Sequence, residues 1–91
     1  MSNVTRIPLR ESSVVIRVAT AVDVDDLRRL AALDSARALL GTVLVAESDG
    51  RIRAALSLDE QRAIADPFEA SGPLVEELHR TAEELARLAR E

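Results

Sequence analysis

Val14-Val15-Ile16-Arg17-Val18-Ala19, followed at once by Thr20-Ala21-Val22-Asp23-Val24-Asp25-Asp26-Leu27-Arg28-Arg29-Leu30-Ala31-Ala32-Leu33, decides the fold. The first six residues are rich in β-branched side chains. Val14, Ile16 and Val18 share one face, and Val15, Arg17 and Ala19 share the other, which is the period of a strand. Thr20 and Asp23 then have the spacing of a capping box, with the Asp carboxylate reaching back to the Thr amide. Asp25 and Asp26 place acid in the first helical turn, where the helix dipole favours it. Leu27, Leu30, Ala31 and Asp34 fall on one stripe, so a helix is expected over about 21–33. Strand followed by capped helix sets the frame for the rest of the chain.

Downstream, Asp34-Ser35 can cap a second short helix, Ala36–Leu40, ended by Gly41. Thr42–Glu47 reads as the next strand. Asp49-Gly50 is a two-residue hairpin signal, and Arg51–Leu58 follows with Ile52, Ala54, Leu56 and Leu58 expected on one face. A turn through Asp59-Glu60-Gln61 leads to a brief fourth strand, Arg62–Asp66, closed by Pro67. Ser71-Gly72-Pro73 announces a last helix, with Pro in its first turn. Leu74, Leu78, Ala82 or Thr81, Leu85 and Leu88 or Ala89 step along it by three and four residues, and Glu76–Arg80 and Glu83–Arg87 are acid-before-base pairs four apart. The order is β-α-α-β-β-β-α. The expected fold class is α/β (α+β), a four-stranded, mainly antiparallel sheet in sequence order with helices packed on it. Residues 1–13 read as a flexible N-terminal tail and 14–91 as one domain. Ile16, Val18, Leu27, Leu30, Val43, Val45, Ile52, Leu56, Leu78 and Leu85 are expected to be mostly buried.

Composition narrows the chemistry. With 47% hydrophobic and 31% charged residues, the 91-residue chain is globular in character rather than disordered. All 12 basic residues are Arg and Cys is absent. There is therefore no Schiff-base or phosphate-loop lysine, and no thiolate nucleophile or Cys-based zinc site. Tyr is absent as well, and the single His79 cannot build a multi-His metal centre. A net charge of −4 gives no basic footprint for nucleic acid. No segment has the continuous apolar run of a signal peptide or membrane span, and the lack of Cys suits a reducing compartment. A cytoplasmic location with no membrane partner is the expectation.

The run VVIRVATAVDVDDLRRLAAL resembles the opening of the GNAT acetyltransferase superfamily, on Val15-Ile16-Arg17, Ala19-Thr20, Asp23, and Leu27 with Leu30. Val43–Glu47, the Asp49-Gly50 turn and Ile52–Leu58 continue the similarity, which covers about residues 14–68. It is closest to short actinobacterial GNAT-like proteins with phrases like Leu33–Arg37 and Val43–Leu58. The resemblance implies the N-terminal half of that fold and, in its enzymes, acetyl-CoA held by a Q/R-x-x-G-x-G/A loop whose amides cradle the pyrophosphate. Here the matching stretch is Asp66-Pro67-Phe68-Glu69-Ala70-Ser71-Gly72-Pro73-Leu74. Pro67 and Pro73 remove two donors, Gly72 stands alone, and Asp66, Glu69, Glu76 and Glu77 repel phosphate. The later strands that bracket the substrate, and the Tyr often used as acid, have no counterpart in these residues.

Other single features have plain readings. His79 lies at the border of the last helix's apolar stripe with no nucleophile beside it, so an ordinary helix His outweighs a general base. Asp23, Asp25 and Asp26 open a helix rather than a metal loop. Ser35 has no base or glycine-flanked elbow. Arg17 and Arg53 can face away from the core, solvated or ion-paired. Phe68, the lone aromatic, is expected to plug the core where strand passes to helix, ahead of serving as an interface anchor.

No catalytic, cofactor or metal residues are therefore expected, and no enzyme activity. The expected function is contact with protein, as a homodimer through Leu74, Val75, Leu78, Leu85 and Leu88 of the last helix, with Phe68. The alternatives are a residual CoA or acyl-CoA binder with a regulatory role, and a half-site acetyltransferase completed by dimerisation. The fourth strand offers a second, smaller surface as an open edge.

Overall fold

The computed structural model describes residues 14–68 and 71–90; the expected tail, residues 1–13, lies outside them. The order is β1 (Val14–Val18), a 3₁₀ turn (Ala21–Asp23), α1 (Val24–Leu33), β2 (Val43–Ser48), β3 (Arg51–Ser57), β4 (Arg62–Ala65) and α2 (Gly72–Ala89). The strands form one sheet in the order β1-β2-β3-β4, every neighbouring pair antiparallel. This is the α+β class and the strand order expected from the sequence. Asp49 and Gly50 both have positive φ, 54° and 78°, the backbone of a type I′ hairpin turn, which suits the twist of the two strands it joins.

The two helices lie on opposite faces of the sheet. On one, Leu30 and Ala31 of α1 meet Val43, Val45, Ala55 and Ile64, with Leu27 and Ile52 at the margin. On the other, Leu78 of α2 sits among Leu44, Ala46, Ala54 and Leu56, flanked by Leu74, Val75 and Ala82. The all-aliphatic core is thus two thin layers, one on each side of β2 and β3.

Three expectations of local structure are corrected. Ile52 does not share a face with Ala54 and Leu56. Ala46 opposes Ala54 while Glu47 opposes Ile52, which leaves Arg53 as the extra residue of a β-bulge. The extra residue reverses the alternation, so Ile52 joins Ala55 on the α1 side. The second short helix over Ala36–Leu40 does not form. Ser35 takes φ 52°, Ala36 N–H donates to Ala31 O and Ser35 N–H to Ala32 O, which is a Schellman closure of α1. The chain then runs on without helical bonds, because Arg62 donates to the Arg37 and Ala38 carbonyls and the Ser57 hydroxyl to that of Leu40. Third, α2 joins its charges three apart, Glu77 with Arg80 and Glu84 with Arg87, in place of the expected four-apart pairs.

Burial departs from expectation at the ends of elements. Val18 is 51% exposed and Leu85 41%, while Ile16, Leu27 and Ile52 are half-buried. Val18 and Leu85 lie where the opposing layer runs out. Phe68 is 80% exposed, so it does not plug the core. Its amide donates to Asp66 Oδ1, a local turn that keeps the chain at the surface.

Candidate functional site

The most organised polar cluster joins β1 to the start of α1. Arg17 projects from the α1 side of β1, and Asp23 ends the 3₁₀ turn. The guanidinium donates twice to the Asp23 carboxylate, Nη1 to Oδ2 at 2.8 Å and Nη2 to Oδ1 at 3.0 Å, and its Nε donates to Glu47 Oε1 at 3.0 Å. Thr20 N–H adds a bond to Asp23 Oδ2 at 2.7 Å, the backward arm of the expected capping box. Asp23 is buried. The Arg17 hydrogen bonds first, then the Thr20 amide, hold its carboxyl down at about 2, below its ordinary 3.8, and Arg17 is correspondingly raised. Every strong acceptor direction of Asp23 points at its own chain. The cluster is therefore a clamp between strand and helix, with no group left poised for chemistry. Sequence reasoning placed Asp23 at the cap but missed Arg17 as its partner. The readable signal was an Arg at the odd position of β1, diagonal across the sheet to Glu47.

A second polar cluster holds the segment after α1. Asp59 Oδ2 accepts from Thr42 N–H at 2.7 Å, Glu60 Oε1 accepts from Leu40 N–H at 3.2 Å, and Ser57 Oγ accepts from Glu60 N–H. The Leu40 amide leads, with Arg37 and Arg62 adding to it, in lowering the Glu60 pKa. Asp34 Oδ2 accepts from Ala65 N–H at 3.1 Å. β4 is an edge strand, as expected; one of its amides, Ala65 N–H, is taken by Asp34, and the Arg62 side chain reaches across to the Arg37 and Ala38 carbonyls.

Three concavities lie on the surface of the described residues. One, of about 310 Å³, lies between α1 and the start of β3 and is lined by Arg29, Arg51 and Arg53 with Asp26 and Asp66; Arg29 is already paired with Asp26. The second, about 550 Å³, opens between the C-terminal half of α2 and the end of β3, over Leu56, Leu58, Ala82, Leu85, Ala86 and Ala89. His79, Gln61 and Glu83 stand at its lip, and the Ser57 hydroxyl there is engaged with Leu40 and Glu60. The third, about 500 Å³, runs between β1 and the first half of α2, along Val14, Ile16, Pro73, Leu74, Glu77 and Thr81.

Of the residues marked for an interface, the structure divides the set. Leu78 is fully buried against the sheet and cannot contact a partner. Leu74 and Val75 are half-buried on the same core. Leu85, Leu88 and Phe68 are exposed. Arg53 lies at the bulge, and Ser35 caps α1 through its backbone. In the stretch that matches a phosphate loop in the resemblance, Ser71 Oγ donates to Asp66 O at 2.9 Å and Val75 N–H is taken by Ser71 O; Glu69 and Ala70 lie outside the described residues. No group of three or more His, Asp or Glu side chains suited to a metal occurs among the described residues, and none of their helices is long and apolar enough to cross a membrane. Compared with known proteins, the chain matches no family model, no curated protein and no solved structure.

Proposed function

We propose that this chain is a small non-catalytic domain, similar to the N-terminal half of a GNAT fold, that acts through protein contact as a homodimer joined by α2. One observation carries the reading. The apolar stripe of α2 is covered by the sheet from Leu74 to Ala82 and then continues bare, with Leu85, which lines an apolar cleft, 41% exposed and Leu88 55% exposed. Continuous apolar surface of this kind, rimmed by charge, is the usual mark of an interaction site. The strand order, the Asp49-Gly50 turn and the first strand and helix support the likeness to the GNAT half-fold. The Pro67 and Pro73 backbone, with Asp66 beside it, supports the absence of an acetyl-CoA site.

Static light scattering of the full chain at tens of micromolar tests the proposal. The expected mass is two chains, falling to one for Leu85→Glu with Leu88→Glu while far-UV circular dichroism is unchanged. A wild-type mass of one chain overturns it. Thermal melts with millimolar CoA and acetyl-CoA are expected to show no shift. A ligand at 100 times its Kd stabilises by about 2.7 kcal/mol, so a clear rise in Tm returns the acyl-CoA alternative.

A further inference from the structure

On its α2 side β1 is flanked by the trough of about 500 Å³, lined by Val14 and Ile16 of the strand and by Pro73, Leu74, Glu77 and Thr81 of the helix. The Thr81 hydroxyl is engaged with the Glu77 carbonyl, so the lining is apolar apart from the Glu77 carboxylate. The trough also has a direction. Val18 lies opposite Leu44, and Leu44 opposite Leu56, beside which the C-terminal half of α2 passes. Strand and helix therefore run in the same sense, with Val14 and Leu74 at one end and Val18, half exposed, beyond the other.

We infer that the trough is the seat of the chain's own N-terminal segment, Val4–Leu9, folded back at Glu11-Ser12-Ser13 and laid antiparallel to β1 with Ile7 and Leu9 on the trough floor. Beyond the described residues the chain has only 1–13, 69–70 and 91, and of these only the first stretch is long enough. It joins the described fold at Val14, which itself lines the trough, so a single reversal brings it in. Glu11-Ser12-Ser13 is polar, and Ser favours turns. Val4–Leu9 spans about 17 Å when extended, against about 10 Å of helix from Leu74 to Thr81. Counting back from the reversal sets Leu9 near Leu74 and Ile7 near Thr81, and leaves Val4 to reach Val18.

The composition of the segment suits that seat. Side chains alternate along an extended chain, so with Ile7 and Leu9 on the floor, Arg6 and Arg10 stand at the rim with Glu77. Ile7 precedes a proline, which biases it to extended backbone, and Pro8 has no amide to leave unpaired over an apolar floor. Residues 1–13 carry two Arg and one Glu, whereas the chain as a whole has a net charge of −4, so the segment is attracted to the body of the domain. Glu77 is already paired with Arg80, and a further guanidinium extends that pair into a network. The tether favours this occupant too. A segment joined by a short link is present at an effective concentration on the order of mM, well above that of a separate molecule in a micromolar solution. The inference does not rest on the homodimer reading.

Because the chain has no Cys, introduced thiols report the contact directly. In the full chain, Ile7→Cys with Thr81→Cys under mild oxidation is expected to lose both thiols by mass spectrometry while running as one chain on a non-reducing gel, since a disulfide needs Cα atoms within about 7 Å. Ile7→Cys with Arg28→Cys, at an exposed position of α1 across the sheet, is expected to keep its thiols. As a second measurement, Ile7→Ser with Leu9→Ser is expected to lower Tm by about 5 °C or more at fixed protein concentration, and Arg6→Ser with Arg10→Ser by less than about 2 °C. Free thiols in the first variant, equal linking in both, or a Tm unmoved by the Ile7 and Leu9 changes overturns the inference. So does a two-chain band that Thr81→Cys alone does not give, which assigns the trough to the segment of a second copy. The light-scattering mass bears on the homodimer reading alone, so the two can fail separately.

Discussion

Asp23→Asn tests the clamp between β1 and α1. The substitution keeps the shape of the side chain and an acceptor for the Thr20 amide, but removes the charge that Arg17 grips with two bonds. The folded carboxyl titrates at about 2 against an ordinary 3.8. At about 1.4 kcal/mol per pH unit this makes the ionised Asp23 worth about 2 kcal/mol to the folded state at neutral pH. The sign follows from proton affinity: the unfolded chain holds the Asp23 proton more tightly than the folded one. The contribution is therefore complete above about pH 4, and it is lost as pH falls through 4 towards 2, where under about 0.5 kcal/mol remains.

Urea unfolding followed by far-UV circular dichroism measures this, since the chain has no Trp or Tyr to report by fluorescence. Protein concentration is held fixed, because association adds to apparent stability. For a slope of about 2 kcal/mol per M, the Asn variant is expected to unfold about 1 M earlier at pH 7. The gap between the two proteins should then close as pH approaches 2. A gap below about 0.5 kcal/mol at pH 7, or one equally wide at pH 7 and pH 2, refutes the reasoning. Either result means that the Arg17–Asp23 pair does no better folded than its separated groups do in water, as many exposed pairs do.

Gly41→Ala is expected to cost at least about 2 kcal/mol, because Gly41 has φ 81° and an added Cβ would lie 1.8 Å from Asp59 Oδ2. Adding Asp59→Ala should recover part of that loss, and a double variant no better than additive by urea titration refutes the steric cause. Leu78→Ala, at a fully buried site, is expected to lose about 2–5 kcal/mol, whereas Leu88→Ala should change the stability of the diluted, dissociated chain by less than about 0.5 kcal/mol. Similar losses at the two positions, read from thermal melts, would contradict the division of α2 into a covered and a bare half.

Periodicity carried the elements and the strand order, because both follow from local rules. Val14–Val18 alternates, Asp49-Gly50 admits only a tight hairpin, and short links force neighbouring antiparallel strands. What it missed depends on contacts between distant residues. Nothing local in Arg51–Ser57 distinguishes a regular strand from one bulged at Arg53; which registry holds depends on seating Ile52 on α1 and Leu56 on α2 at once. Likewise Ala36–Leu40 has helical composition, and its carbonyls lose their helical partners only because Ser57 and Arg62 arrive from the other end of the sheet. Leu78 was placed among candidate interface residues for a related reason, although it is fully buried. The seven-residue repeat puts Leu78 and Leu85 on one stripe, but it cannot say where the sheet beneath them ends.

That endpoint also bears on why the core alone is thin. Among the described residues, two aliphatic layers on either side of β2 and β3 leave β1 flanked by a salt-bridged cap on one face and a trough along α2 on the other. A chain of this size buries only about 60–65% of the surface its unfolded form exposes, so area covered on association adds substantially to its stability. Association of the folded chain stabilises all four strands against global unfolding, so exchange of the most protected amides becomes concentration-dependent. Amide hydrogen exchange at two protein concentrations separates the cases. Slower exchange of the central-strand amides at the higher concentration fits association through α2, and rates that do not change with concentration rule it out.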